Sequence, residues 1–256
     1  RGQDGFLAPL PSSPLASSPL PPCPLAPLYA KFGLESGEKT VFVMGGSQGA
    51  HPINVAMIEA LNFFQNDNPL TPFIKGDEQF TLPLLKAESP THLIPKGGSK
   101  GGNGGIFSKL QIIHQTGQDD YELVKSEYAK RAANIKNLVQ PYFENIPEIY
   151  ALADLMVCRT GAMTIAEITA YGLPAILIPY PHSTGGHQLI NAQAMENKGA
   201  GIIINDAELT GEILAKKLIE LLKDEQRLEQ MAAASKSLGK PNAAEVIAQA
   251  ILNLAF

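Results

Sequence analysis

The sequence predicts a doubly wound α/β fold, a parallel sheet with helices on both faces, and three features carry that prediction. Short apolar runs recur along the 256-residue chain without polar alternation, as expected of strands covered on both faces. Stretches with helical spacing separate them, giving the repeated β-α units of such a sheet. The first run ends in a glycine-rich turn that leads into a helix, and ligands of these sheets bind beyond the carboxyl ends of the strands.

The elements follow in order. Residues 1–30 stand apart, because prolines from Pro9 to Pro27 alternate with Ser, Leu and Ala. Proline removes backbone donors and favours extended conformations, so this segment is expected to be a disordered tail. The folded region, 31–256, opens with a strand at 41–44 and a helix at 50–64. Residues 66–105 then interrupt the pattern with NDNPLTPF, further prolines and KGGSKGGNGG, and read as an inserted loop. The glycine patch matches a phosphate loop only in composition, since no strand precedes it and no capped helix follows. Beyond it, strands are expected at 110–114, 137–140, 155–158, 175–178 and 202–204. Helices are expected at 119–132, 146–151, 164–171, 187–198 and 211–222. A last helix, 243–254, places Val246, Ile247, Ala250, Ile251 and Leu254 on one face. The strand-helix alternation makes the sheet Rossmann-like.

Bulk properties exclude several function classes. The formal charge is −5 and no cluster of Lys and Arg with interleaved aromatics occurs, so nucleic acid is not an expected partner. Cys23 and Cys158 make no disulfide framework, which suits a reducing compartment. No apolar segment approaches the roughly 20 residues that span a bilayer, and RGQDGFLAPL lacks the features of a signal peptide. A soluble cytoplasmic chain is the expectation.

Three motifs could carry chemistry. In TVFVMGGSQGAHPIN, residues 40–54, Gly45 and Gly46 allow a tight turn and a close approach of backbone N–H groups to an anion. Ser47 can add its hydroxyl, and the next helix presents its positive end. The loop is neither GxGxxG nor, lacking Lys, a Walker A loop, and by itself it reads equally as a structural turn. In CRTGAMTIAEITAYGLPAILIP, residues 158–179, Thr164 and Glu167 share a face at a helix start. Glu167 could accept hydrogen bonds from a sugar diol, or the pair could form a capping box. In PYPHSTGGHQLINA, residues 179–192, His187, Gln188 and Asn191 suit sugar hydroxyls. His182 and His187 lack the cysteine and carboxylate company of a metal centre, so no protein-held metal is expected. No GxSxG occurs, and Cys158 ends a buried strand, which argues against a nucleophilic triad. A dinucleotide-dependent dehydrogenase would need GxGxxG and an acidic residue at the end of the second strand, where His114 stands.

Taken together, GGSQGA, IIHQTG (112–117), ADLMVCRTGAMTIAEITAYGLPAILIPYP, HQLINA and the KGAG turn resemble the MurG-like glycosyltransferases of family 28. That family moves N-acetylglucosamine from UDP-GlcNAc onto undecaprenyl-diphosphoryl-MurNAc-pentapeptide (lipid I), giving lipid II for the cell wall and so serving cell shape and division. The resemblance runs from about residue 31 to the C-terminus and implies the C-terminal, donor-binding half of a GT-B fold. It implies that Gly46, Ser47, Gln48 and Gly49 face the UDP diphosphate, with Met163 and Thr164 beside phosphate and sugar. Glu167 would bind the ribose, His187 and Gln188 the GlcNAc hydroxyls, and Tyr142 or Phe143 would lie by the uracil. Asn54, Arg159 and Gly161 belong to the same implied UDP-GlcNAc site.

An inverting transfer without cofactor or metal is implied, and no catalytic base is identifiable. The acceptor, lipid I, and the inner face of the plasma membrane would be reached through an N-terminal domain or a partner chain. In the implied fold, the last helix packs on that other half, which leaves its apolar face open. A donor subunit of a split transferase and a non-catalytic UDP-sugar-binding module are the alternatives.

Overall fold

The computed structural model of the protein describes residues 25–64 and 109–255. The expected tail up to residue 24 and the expected insertion at 66–105 lie outside the described residues. Six strands, β1 (Lys39–Met44), β2 (Leu110–Gln115), β3 (Lys136–Gln140), β4 (Leu155–Cys158), β5 (Ala175–Leu177) and β6 (Gly201–Ile203), form one sheet. All neighbours are parallel and the order is β3-β2-β1-β4-β5-β6. The chain winds outward from β1 to β3, then returns to place β4 on the other side of β1. Where the winding direction reverses, the loops after β1 and β4 diverge and leave a crevice.

The strands earn their positions through burial on both faces. Along β1, Val41 and Val43 point into one apolar layer and Phe42 and Met44 into the other. On the first face, α2 (His51–Phe64), α3 (Tyr121–Arg131) and α7 (Gly211–Lys223) cover the sheet with residues such as Ile53, Met57, Val124 and Leu218. On the second face, α4 (Ile146–Leu152), α5 (Ala162–Tyr171) and α6 (His187–Glu196) contribute Ile149, Ile168 and Met195. Each fully buried side chain of this size contributes roughly 1.5–3 kcal/mol.

Two helices depart from expectation. Residues 25–30, read as part of the tail, join α1 (Leu25–Lys31), whose Leu28 is buried and which packs on α4. Pro27 is tolerated there because the first turn of a helix has no intrahelical use for its missing donor. The helix α8 (Glu225–Leu238) was not expected, since EQRLEQMAAASKSL has few large apolar residues. It sends Leu228 and Met231 into the first layer and rests Ala234 and Leu238 on the second. The last helix, α9 (Ala243–Ala255), forms where expected. Every described side chain from 241 to 254 is exposed, including Val246, Ile247, Ile251 and Leu254.

A buried polar chain fixes α2 and α3 to the end of β2. His114 is fully buried and bonds Tyr128 Oη through Nδ1 and Asn54 Oδ1 through Nε2, each at 2.9 Å. Asn54 Oδ1 can only accept, so Nε2 carries the proton and Nδ1 accepts from the tyrosine. Asn54 Nδ2 donates to Thr116 O at 2.9 Å and to Asp120 Oδ2 at 2.8 Å. With both ends of its amide engaged and no exposure, Asn54 braces the fold and does not face the crevice, contrary to its implied role as a ligand.

Burial pushes the His114 imidazole down to about 3. Below the unfolded value of about 6.5 the unfolded chain binds a proton that the native state refuses, so stability falls as pH falls toward 3. We expect His114 to contribute a loss of about 1.4 kcal/mol per pH unit in that window. Urea unfolding of the wild type and of His114→Asn between pH 7 and 5 measures it, and equal slopes in the two proteins would refute the assignment.

Candidate functional site

The crevice between the loops after β1 and β4 holds about 400 Å³, within the range of small-molecule sites. Its floor and walls come from Gly45, Gly46, Gly49 and Ala50 of the first loop, and Arg159, Gly161 and Thr164 of the second. Tyr180, after β5, and Gln188, at the start of α6, close the far side. Of the residues expected from sequence, Gly46, Gly49, Arg159, Gly161, Thr164 and Gln188 thus line one cavity.

The first loop can take this shape only with glycine at two crowded positions. A Cβ on Gly45 would lie 2.3 Å from Ala50 N. Gly49 has φ +79°, and a Cβ there would lie 2.0 Å from Thr116 O. The loop therefore presses against the β2–α3 connection and delivers the N-terminus of α2 to the crevice. The first intrahelical bond of α2 runs from Asn54 N to Ala50 O at 3.0 Å, so the preceding N–H groups have no carbonyl within the helix. Gln115 fastens this wall, donating from Nε2 to Gly46 O at 3.2 Å and accepting from Phe143 N at 2.9 Å. Ser47 and Gln48 sit exposed at the loop tip, outside the cavity lining.

The second wall begins with Arg159. Its Nη1 donates to Ile178 O at 3.2 Å, Pro179 O at 3.3 Å and Asp206 Oδ1, and its guanidinium lies 5.5 Å from the Tyr180 ring centroid. The remaining guanidinium nitrogens have no protein partner among the described residues. Gly161 is the N-cap of α5 and supplies no side chain, so this helix also leaves its first N–H groups open. The capping-box alternative is overturned: Thr164 lies inside the first turn, and Glu167 accepts from Tyr150 Oη at 2.8 Å instead. Glu167 is half-buried one turn beyond Thr164 and does not line the cavity.

Gln188 is a clamp. Its Oε1 accepts from Thr160 N at 3.1 Å and Tyr180 N at 3.0 Å, while its backbone O accepts from Thr160 Oγ1 at 2.7 Å. Asn191 Nδ2 adds a bond to Thr160 O at 3.0 Å. Only the Nε2 donors of Gln188 remain for a ligand. His187 is exposed and turns Nδ1 to the carbonyl of Thr184, away from the cavity lining. Met163 is 73% exposed, and Tyr142 is exposed while Phe143 is buried edge-on against Phe42, with centroids 6.1 Å apart. Phe143 is therefore core, and its backbone N–H is taken up by Gln115.

Two helix N-termini and a buried arginine converge on this space, and among the described residues no carboxylate lines it. That arrangement favours an anion. Gln115, Tyr180 and Asp206 carry much of the geometry without having been singled out; the IIHQTG stretch pointed at Gln115, whereas nothing local marks Asp206. Burial raises the Cys158 thiol to about 12, which removes it as a nucleophile. Among the described residues no group of three His, Cys, Asp or Glu could hold a metal, and no helix is long and apolar enough to cross a membrane.

Residues 40–247 match the model of the glycosyltransferase family 28 C-terminal domain. A relative from Halothermothrix orenii, named UDP-N-acetylglucosamine--N-acetylmuramyl-(pentapeptide) pyrophosphoryl-undecaprenol N-acetylglucosamine transferase, is 39% identical over 82% of this chain and 47% of its own length. A relative of the same name from Thermodesulfovibrio yellowstonii is 37% identical over 84% of this chain and 48% of its own. The crystal structure of Acinetobacter baumannii MurG superposes with a TM-score of 0.63 at 26% identity, covering 86% of this chain and 54% of that one. The chain thus spans about half the length of the curated relatives it matches.

The crowding around the first loop makes a graded prediction. Gly46 has φ +102° with open space around it, so Gly46→Ala should cost only the backbone strain, about 1–2 kcal/mol. Gly49→Ala adds a backbone collision and should cost more. Chemical denaturation of both variants checks the order, and equal losses would show that the loop is not packed as described.

Proposed function

The chain belongs to the glycosyltransferase family 28 C-terminal domain family, and from that premise we propose that it is the donor-binding half of an inverting N-acetylglucosaminyltransferase. The reading is that UDP-GlcNAc occupies the crevice and that the sugar passes to lipid I, giving lipid II. The observation that carries it is the convergence of the α2 and α5 N-termini with Arg159 on one cavity of about 400 Å³. A nucleoside diphosphate is the ligand whose charge and size suit that convergence, and the named function of the relatives supplies the sugar and the acceptor.

In this reading the diphosphate lies between the glycine loop and Gly161. Thr164 and the Nε2 donors of Gln188 reach phosphate or sugar. The nucleoside extends beyond the cavity lining along α5, where Glu167, one turn past Thr164, accepts from the ribose hydroxyls. The acceptor hydroxyl forms its bond to the anomeric carbon as the bond to UDP breaks, with inversion. Negative charge grows on the leaving diphosphate, where fixed N–H dipoles need no reorganisation to stabilise it. The base that takes the acceptor proton is assigned to no residue of this chain. Ser47, Met163 and His187 are exposed around the cavity and would reach the ligand only if closure against an acceptor-binding half brought them inward.

The open apolar face of α9 supports a second body in the working enzyme, either covalently continuous or a separate chain. Through it the enzyme would work at the inner face of the plasma membrane. A donor subunit of a split transferase rests on the same observation.

Calorimetry tests the site: UDP-GlcNAc should bind, and Arg159→Ala should weaken it at least tenfold. No binding at millimolar ligand would overturn the reading. Transfer to lipid I, measured with this chain alone and with an added acceptor domain, should appear only in the second case. Binding without transfer in either would leave a UDP-sugar-binding module as the function.

A further inference from the structure

The ribose contact in the proposed donor site depends on a carboxylate whose orientation comes from another helix. Glu167 lies on α5, half-buried, and Tyr150 of α4 donates its hydroxyl to Oε2 at 2.8 Å. Tyr150 cannot easily move. It is 2% exposed, its ring packs edge-on to Phe42 with centroids 5.9 Å apart, and it tilts against Tyr171 at 5.4 Å. Burial first, and the bond to Glu167 next, hold its hydroxyl well above the ordinary tyrosine range, so it remains a donor at every physiological pH. Glu167 Oε1 has no protein partner among the described residues. The carboxylate is thereby held by one oxygen and leaves the other free to accept.

We propose that Tyr150 is a positioning residue for nucleotide recognition, holding Glu167 so that its free oxygen meets the ribose diol. This rests on the donor-site reading above. A glutamate without such an anchor samples several rotamers, and binding must then select one of them, which weakens affinity. The effect must act through the ribose hydroxyls alone, and this separates it from a general contribution of Tyr150 to packing.

The test uses the whole chain with two probes, UDP and 2′,3′-dideoxy-UDP, which lacks both ribose hydroxyls. Wild type should bind UDP more tightly than the dideoxy nucleotide. Tyr150→Phe, which keeps the packed ring, should weaken UDP about three- to tenfold and leave the dideoxy nucleotide unchanged. In a Glu167→Ala background the same substitution should change neither affinity. Equal weakening of both nucleotides, unaltered UDP affinity in Tyr150→Phe, or a further loss on top of Glu167→Ala would each overturn the proposal. If wild-type protein binds neither probe, the donor-site reading itself falls; if it binds UDP and the substitution has no selective effect, only the role of Tyr150 does.

Discussion

β1 pairs in parallel with β2 along one edge and with β4 along the other, and both of its faces are buried. A strand so placed has its backbone groups satisfied by neighbours that lie far apart in sequence. The chain can supply both neighbours only by winding one way through β2 and β3 and then returning across β1. The return opens the crevice, and parallel pairing puts the N-termini of α2 and α5 at the same end of the sheet. The convergence of these helix N-termini on one crevice thus follows from how the sheet is wound, before any side chain is considered.

Side chains then make that end of the sheet rigid. Gln115 joins the glycine loop to the loop after β3, Gln188 joins the loops after β4 and β5, and Asn54 joins α2 to the loop after β2. Each is a primary amide with several bonding positions: Gln115 donates to one loop and accepts from the other, Gln188 accepts from both loops through Oε1, and Asn54 donates from α2 to the carbonyl of Thr116. Single bonds of this kind contribute about 0.5–1.5 kcal/mol, but their collective effect is to hold the loops in place without a ligand. A ligand entering a site whose loops are already held pays little ordering entropy. Arg159 is part of the same frame, because its Nη1 binds two carbonyls and Asp206 while its other nitrogens stay available.

Much of the site was legible in the sequence for a physical reason. Glycine turns after apolar runs are local signals, and the three motifs each end a strand, so their convergence follows once the sheet is parallel. The roles within the site were less legible. Asn54 and Gln188 read as ligands because they are polar residues beside a binding loop, yet the fold uses most of their hydrogen-bonding capacity. For Thr164 and Glu167 the sequence left a capping box open beside a sugar contact, and because α5 starts at Ala162 both residues lie too far into the helix to cap it.

The sequence by itself determined the six strands, seven of the helices, the parallel class of the sheet and the position of its glycine loop. These depend on periodicity and on residues that permit unusual backbone angles, and neighbouring residues encode both. Only the tertiary structure decided that α1 and α8 form, because one contains a proline and the other little apolar surface, and each is held by what it packs against. It also decided the partners of Tyr150, Arg159 and Asn54. The hydrogen bonds among them join residues up to 66 positions apart, as in Asn54 and Asp120. Nothing local specifies them, since a buried polar group takes whichever partner the folded chain brings within reach.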